Sequence, residues 1–331
     1  MPFLSIVVPV YNEEENIVPL FEKIQAVCET LEGAYEVLFV DDGSRDSTFT
    51  VLSKLSRTFP QVVVIRFQKN AGQTAAMAAG FEFAKGQRII SMDGDLQNDP
   101  ADIPKLLEKL DEGYDLVCGW RKERQDKFLT RRVPSIVANW IIGKVTGVPI
   151  HDNGCSLKAY RASIIKQVPL YGEMHRFIPA MSTVAGARIA EIVVTHHPRR
   201  FGKSKYGLGR IWRVMLDIIA FKLIISVFQQ NSNPIKPFLP KSGKLVRFFI
   251  SRCKRRPLRG FGPLGTIGVA LGSILLIGLP KTSTVAGTST FLITSGILTF
   301  CFGMFGELVS FANAKQVKDY TVKTFLNTKK Q

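Results

Sequence analysis

The chain has 331 residues, 46% of them hydrophobic, with 44 Lys and Arg against 27 Asp and Glu, a formal net charge of +17. That length fits one large domain or one domain with an appendage, and the basic excess asks for a polyanionic neighbour: nucleic acid, anionic lipid or a phosphorylated substrate. The five cysteines (Cys28, Cys118, Cys155, Cys253, Cys301) are scattered and form no Cys-x-x-Cys pair, which argues against a disulfide framework and a zinc site.

Met1 leads directly into Pro2-Phe-Leu-Ser-Ile-Val-Val8, with neither a basic leader nor a cleavage site, so the first domain is expected to stay in the cytoplasm. Residues 4–10, 36–40, 62–67 and 88–92 are short runs rich in β-branched and apolar residues. Helix-like segments lie between them, at about 13–31, 46–57 and 72–85. Strands alternating with helices predict an α/β fold, a mainly parallel sheet with helices on both faces. Ligands of such sheets bind beyond the carboxyl ends of the strands. The polar clusters Tyr11-Asn-Glu13, Asp41-Asp-Gly-Ser44 and Asp93-Gly-Asp95 fall at those ends.

Asp93 and Asp95 at spacing i, i+2 on a turning backbone can aim two carboxylates at one hard cation, with Gln97 adding a neutral oxygen. Oxygen ligands suit Mg²⁺ or Mn²⁺, which also bridge substrate phosphates. An Asp-x-Asp by itself is a common exposed turn, and its weight comes from its company. Gly260-Phe-Gly-Pro-Leu-Gly265 satisfies a phosphate-loop pattern but opens an apolar span instead of following a strand, and His196-His197 point to opposite sides of an extended chain; both read as structural.

From about 205 to 228 a broad apolar face begins at Trp212 with arginines beside it, an arrangement that fits an interfacial helix better than a spanning one, with a buried core helix as the alternative. Residues 262–279 and 291–306 are uncharged. About eighteen helical residues reach roughly 27 Å, enough to cross the hydrocarbon layer. Lys241–Arg259 holds eight cations and no acid, the tail carries Lys315, Lys318, Lys323, Lys329 and Lys330, and the connection carries only Lys281. The positive-inside rule then predicts a hairpin with both ends cytoplasmic. Glycines 265, 268, 272, 296, 303 and 306 permit close helix approach within or between subunits, and so short a hairpin favours a homo-oligomer. Glu307 reads as lying near the interface, with a buried role as the alternative. The expected organisation is a cytoplasmic domain over 1–205, juxtamembrane helices over 206–260, two spans over 261–312 and a basic cytoplasmic tail over 313–331.

The runs Ser5-Ile-Val-Val-Pro-Val-Tyr-Asn-Glu-Glu14, Val40-Asp-Asp-Gly-Ser-Arg-Asp-Ser-Thr48, Asn70-Ala-Gly-Gln73 and Asp93-Gly-Asp-Leu-Gln97 together resemble the inverting GT-A glycosyltransferases. Asp152-Asn-Gly-Cys-Ser-Leu-Lys-Ala-Tyr-Arg161 and Arg199-Arg-Phe-Gly-Lys-Ser-Lys-Tyr206 narrow the resemblance to the polyprenyl-phosphate sugar transferases, a group including dolichyl-phosphate mannose synthases and membrane-anchored bacterial glucosyltransferases. It covers about 1–228. The resemblance implies donor-binding roles for Pro9, Tyr11, Glu13, Asp41, Asp42, Gln73 and Asp93, and a metal site at Asp93, Asp95 and Gln97, with Asp95 catalytic. Asp41 is equally suited to cap the next helix. Asp152 matches the catalytic acid near the acceptor, usually assigned as base; Arg121, Arg131, Arg199, Lys203 and Ser204 match its phosphate contacts, although any one of these cations is as well explained by solvation.

The implied reaction moves a hexose from a nucleotide diphosphate sugar, UDP-glucose first and GDP-mannose next, to a polyprenyl phosphate with inversion at the anomeric carbon. A membrane partner is expected and a nucleic acid is not. The acceptor phosphate, with a second pKa near ~6, is mostly dianionic at neutral pH and scarcely needs a strong base. Two other readings share the front half: a processive polysaccharide synthase, whose Gln-x-x-Arg-Trp motif is not found here, and an inactive membrane scaffold. An added stretch at about 229–254, before Arg256-Pro-Leu258, separates this chain from its anchored relatives and reads, on its charge, as a membrane-surface contact, with an ordered loop as the alternative.

Overall fold

Strands buried on both faces are written as near-continuous apolar runs, and the computed structural model places four such runs side by side. It describes residues 2–122, 133–198, 210–229, 256–278, 282–314, 318 and 320–327. Strands β1 (Leu4–Val10), β2 (Tyr35–Asp41), β3 (Val62–Phe67) and β4 (Arg88–Ser91) alternate with helices α1 (Ile17–Cys28), α2 (Thr48–Thr58) and α3 (Gln73–Phe83), as the periodicity predicts. Then come α4 (Ile103–Asp111), β5 (Leu116–Trp120), α5 (Val133–Thr146), β6 (Lys158–Arg161), the short α6 (Ala162–Ile165), a 3₁₀ turn at Met174–Phe177, α7 (Ile178–Val184) and β7 (Ile189–Val193). A last strand, β8 (Val322–Leu326), comes from the far end of the chain.

The eight strands form one sheet in the order β7-β5-β6-β4-β1-β2-β3-β8. β1 pairs in parallel with β2 and β4, and β2 with β3, in the register Val10↔Asp41 and Val7↔Ser91. β6 runs antiparallel to β4 and β5, while β7 is parallel to β5. Val10, Asp41, Ser91 and Trp120 therefore end on one edge, and the loop that leads into β6 arrives at the same edge. The core packs Ile6, Val8, Phe21, Ile24, Phe39, Leu52, Val64, Ile90, Leu106 and Val117 around the sheet, each fully buried.

The chain divides into two compact units, Met1–Tyr206 with Lys318–Gln331, and Gly207–Val317. Residues expected as a basic tail thus include a strand of the first unit. β8 lies antiparallel on β3, with Ile65 opposite Phe325. Just before it, Tyr320 stacks on Phe67 at 4.7 Å and donates to Glu82 at 2.7 Å, and Lys318 pairs with Glu82 at 2.6 Å.

The second unit holds α8 (Arg210–Gln229), α9 (Pro257–Gly278) and α10 (Ser283–Ala312). α9 and α10, with mean hydropathy 1.8 and 1.7, are long and apolar enough to cross a membrane. Both exceed the uncharged spans because their ends are capped: Pro257 sits at the first position of α9, and the Thr282 hydroxyl accepts from the Val285 amide at 3.3 Å. The two helices touch through backbone. A Cβ on Gly296 would lie 2.7 Å from the Gly265 carbonyl oxygen, so no larger residue fits there. α8 packs Leu216 and Ala220 against Leu258, Phe300 and Met304.

Glu307 takes the buried role: it is 1% exposed and accepts from Arg256 at 3.1 Å. Arg256 also reaches Asp217 at 3.3 Å, and Arg259 forks onto Asp217 at 3.0 and 2.6 Å. Gly260–Gly265 lie inside α9, as a structural reading requires. The stretch 230–255 lies outside the described residues.

Candidate active site

The first two loops of the sheet's carboxyl edge are braced together. The Asn12 amide donates to the Ser44 hydroxyl at 3.0 Å, the Arg45 amide to the Asn12 side-chain oxygen at 2.9 Å, and the Glu13 amide to the Thr48 hydroxyl at 2.9 Å. Asn12 adopts φ 53°, a left-handed conformation that Asn tolerates better than most residues. Pro9 and Tyr11, both half-buried, flank this brace, and the Glu13 carboxylate accepts from the Asn16 amide group at 2.6 Å.

Asp41 neither caps α2 nor faces the loop surface. It is fully buried, accepts from the Ser44 amide at 2.8 Å and pairs with Arg66 at 3.4 Å, so it organises the turn. Asp42 accepts from the Ala71 and Gly72 amides at 2.6 and 2.9 Å. Asp42 thereby connects the second and third loops of the edge, while Asp41 ties the second loop to β3.

The third loop opens α3, whose first side chain, Gln73, donates to Asp93 Oδ1 at 2.7 Å. Gly94 is required between the two acids: a Cβ there would lie 2.7 Å from Val10 Cγ1. Leu96 follows at φ 62°, a strained conformation for a bulky residue, held by burial of its side chain. Asp95 is 6% exposed and accepts from the Gln97 amide at 3.2 Å. Withdrawal from solvent, and after it the Asp95 charge, push the Asp93 carboxyl up to about 6.

A buried acid whose ionisation its neighbour's charge opposes, beside a neutral amide side chain, suits a divalent cation. Among the described residues no group of three or more His, Cys, Asp or Glu is placed to hold a metal. A cation at Asp93, Asp95 and Gln97 would thus complete its shell with water and the phosphates of a substrate. Asn98 supports the loop, accepting from the Asp93 amide at 3.3 Å and from the Ser156 hydroxyl at 2.8 Å. His197 bonds to Asp99 at 2.8 Å and His196 bridges to Asn98, which accounts for both histidines structurally.

Asp152 sits opposite, in the loop before β6, and is 3% exposed. Arg121, one residue past β5, grips it with two parallel bonds, Nε at 2.7 Å and Nη2 at 3.0 Å. Burial works against the Arg121 charge, but Asp152 more than offsets it and holds the guanidinium above its ordinary pKa. Paired this way, Asp152 fixes the plane of the guanidinium. Lys158, 3% exposed, donates to the Asn153 oxygen at 3.3 Å and to the Cys155 oxygen, and so supports the loop from below. The Cys155 thiol is pushed up to about 11 by burial, which removes it as a nucleophile.

The structure brings Pro9, Tyr11, Glu13, Asp41, Asp42, Gln73, Asp93, Asp95, Gln97, Arg121 and Asp152 to one edge of the sheet. Arg131, Arg199, Lys203 and Ser204 lie outside the described residues. Sequence reasoning missed Asn98, Ser156 and Glu191, whose carboxylate accepts from the Asp152 amide at 3.0 Å. It also missed His175, bonded through Nδ1 to the Thr74 hydroxyl at 2.8 Å. A Met-His-Arg-Phe run before an apolar helix was the available signal for His175; Glu191, in the short strand Ile-Ala-Glu-Ile-Val, offered none.

Residues 5–168 match the model of glycosyl transferase family 2. The chain is 45% identical over 280 residues to a dodecaprenyl-phosphate galacturonate synthase of Rhizobium johnstonii, covering 83% of this chain and 75% of that protein. It is 39% identical over 218 residues to an undecaprenyl-phosphate 4-deoxy-4-formamido-L-arabinose transferase of Edwardsiella ictaluri, covering 66% and 67%. Among solved structures, it resembles mannosyl-3-phosphoglycerate synthase from Rubrobacter xylanophilus at TM-score 0.52 and 15% identity, covering 72% and 79%. Glucosyl-3-phosphoglycerate synthase from Mycobacterium tuberculosis, in complex with Mn²⁺, UDP-glucose and phosphoglyceric acid, matches at TM-score 0.51 and 18% identity, covering 67% and 79%. At that identity the two structures speak to the fold alone.

Proposed function

Because this chain belongs to glycosyl transferase family 2, among its polyprenyl-phosphate glycosyltransferases, we propose that it moves a hexuronosyl group from a nucleotide diphosphate donor to a polyprenyl phosphate, with inversion. The observation that carries this reading is the convergence of Asp93-Gly-Asp95 and the Arg121–Asp152 pair on one edge of the sheet. The first is a site for a metal-bound diphosphate, the second a cation already oriented for another anion. A hexuronate moves ahead of glucose and mannose because the galacturonate synthase is 45% identical over 83% of this chain.

Breaking the donor's glycosidic bond leaves negative charge on a diphosphate. Mg²⁺ or Mn²⁺ held by Asp93, Asp95 and Gln97 would stabilise that charge without proton transfer. The loops at Asn12 and Asp42 hold base and ribose, and Gln73 keeps Asp93 aimed at the cation. On the acceptor side the nucleophile is a phosphate oxygen that is already mostly ionised. Asp152 therefore orients Arg121 more than it removes a proton, and Arg121 holds the acceptor phosphate behind the anomeric carbon. Attack from that face inverts the centre.

The lipid acceptor places the enzyme at a membrane, with α9 and α10 as a hairpin anchor. The chain leaves the first unit at Tyr206 and rejoins it at Lys318, so an even number of crossings between them is required. The basic residues on both flanks put that side in the cytoplasm. The test is transfer of labelled sugar to undecaprenyl phosphate from UDP-galacturonate, UDP-glucose and GDP-mannose, with Mg²⁺, Mn²⁺ or chelator. A chelator-sensitive lipid product from the uronate supports the reading; product from UDP-glucose alone corrects the sugar, and no product from any donor overturns it.

A further inference from the structure

A loop between a helix and a strand has no ladder of its own, so side chains carry much of what fixes Asp152. One such group is Arg121. Another comes from β7 at the outer end of the sheet. Glu191 lies opposite Cys118 in the β5–β7 register, two residues before Trp120. Its Oε1 accepts from the Asp152 amide at 3.0 Å, and its Oε2 accepts from the His151 amide at 3.2 Å and from His151 Nδ1 at 2.7 Å. The His151 ring in turn lies flat on Trp120, centroids 4.4 Å apart and planes 16° apart.

A carboxylate on a sheet-edge strand would ordinarily be solvated, yet the Glu191 side chain is only 11% exposed. Its acceptors go to the backbone amides of His151 and Asp152 and to the His151 ring, at and directly before the residue that holds Arg121. We propose that Glu191 is a positioning residue: it sets the Asp152 loop so that the Arg121–Asp152 pair meets the acceptor phosphate at attacking distance. This inference rests on the transfer reaction proposed above. It assigns Glu191 to the acceptor half of that reaction and leaves the donor half alone, because none of its bonds reaches the Asp93-Gly-Asp95 loop.

The test uses the full-length protein in lipid vesicles and compares Glu191→Ala, Glu191→Gln, Asp152→Ala and the Asp152→Ala/Glu191→Ala double variant. A displacement of about 1 Å at a reacting group costs about 10²-fold in rate, so Glu191→Ala should lose about that factor in kcat with the donor KM changed less than about twofold. Glu191→Gln keeps one oxygen for a backbone amide and should recover about tenfold of the loss. In the Asp152→Ala background, Glu191→Ala should add less than about twofold, since both changes act through one group. Independently of turnover, amide exchange at His151 and Asp152 should quicken by at least about tenfold in Glu191→Ala. Should Glu191→Ala fail to fold, Glu191→Gln carries the comparison, with about a tenfold loss expected. Losses that multiply in the double variant, or unchanged exchange at the two amides, would overturn the assignment. A wild-type protein that transfers no sugar defeats the reaction instead, and the exchange measurement still decides whether Glu191 holds the loop.

Discussion

Two regions of this molecule bury several charges, and they do so on opposite plans. Between α8, α9 and α10, Arg256 and Arg259 face Asp217 and Glu307, cation matched to acid within 2.6–3.3 Å. At the carboxyl edge of the sheet, Asp93 and Asp95 lie close enough for one to raise the pKa of the other. Matched buried charge is complete within the chain, and removing one partner strands the other. Crowded like charge is incomplete, and its electrostatics favour a cation from outside. The contrast separates architecture from chemistry.

The sharpest break of that contrast is Asp95→Ala. Loss of the proposed metal ligand should lower metal-dependent transfer by at least about 10³-fold while the chain stays folded, as measured by labelled transfer and circular dichroism. In the matched region the effect should fall on stability. Glu307→Ala leaves Arg256 buried opposite too few acids and should cost about 3–5 kcal/mol, read as a lower thermal midpoint in lipid. Replacing Glu307 and Arg256 together with Met and Leu should recover most of it.

Asp152→Asn comes next, with a fall of about 10²-fold in kcat and little change in donor KM, because the forked bond to Arg121 is lost. If only donor binding weakens, Asp152 has been placed on the wrong substrate. The smallest effect has the least expected sign. Because Asp93's carboxyl is raised from 3.8 to about 6, the folded chain holds more protons than the unfolded one between those values. Stability of the chelator-treated enzyme should then fall as pH rises through that window, and Asp93→Asn should raise its thermal midpoint by a few degrees while abolishing transfer, an effect on the order of 1–3 kcal/mol.

The proposed donor half of the site was legible because its residues sit in short runs directly after strands, where chain order and spatial order coincide. Strands 4–10 and 62–67 were readable to the residue, since parallel strands buried on both faces are apolar throughout. The acceptor half depends on contacts between distant segments: Arg121 to Asp152, and Glu191 to both His151 and Asp152. Nothing in the local pattern of a five-residue strand marks its glutamate as a clamp. Glu307 was read as interfacial because its partner Arg256 is fifty-one positions away, beyond any helical spacing. β8 escaped for a similar reason: Val-Lys-Thr-Phe-Leu alternates as a strand should, but it lies in a basic segment and its partner is near residue 65.

That last strand has a consequence for how the protein is made. The outer edge of β3 is synthesised early, yet its partner does not leave the ribosome until Leu326, after α9 and α10 have both been translated. Domains fold progressively during synthesis, and an unpaired edge invites wrong partners meanwhile. The outer edge of the sheet is thus closed by a segment translated after both long apolar helices, and a ribosome stalled within α9 or α10 would leave that edge open.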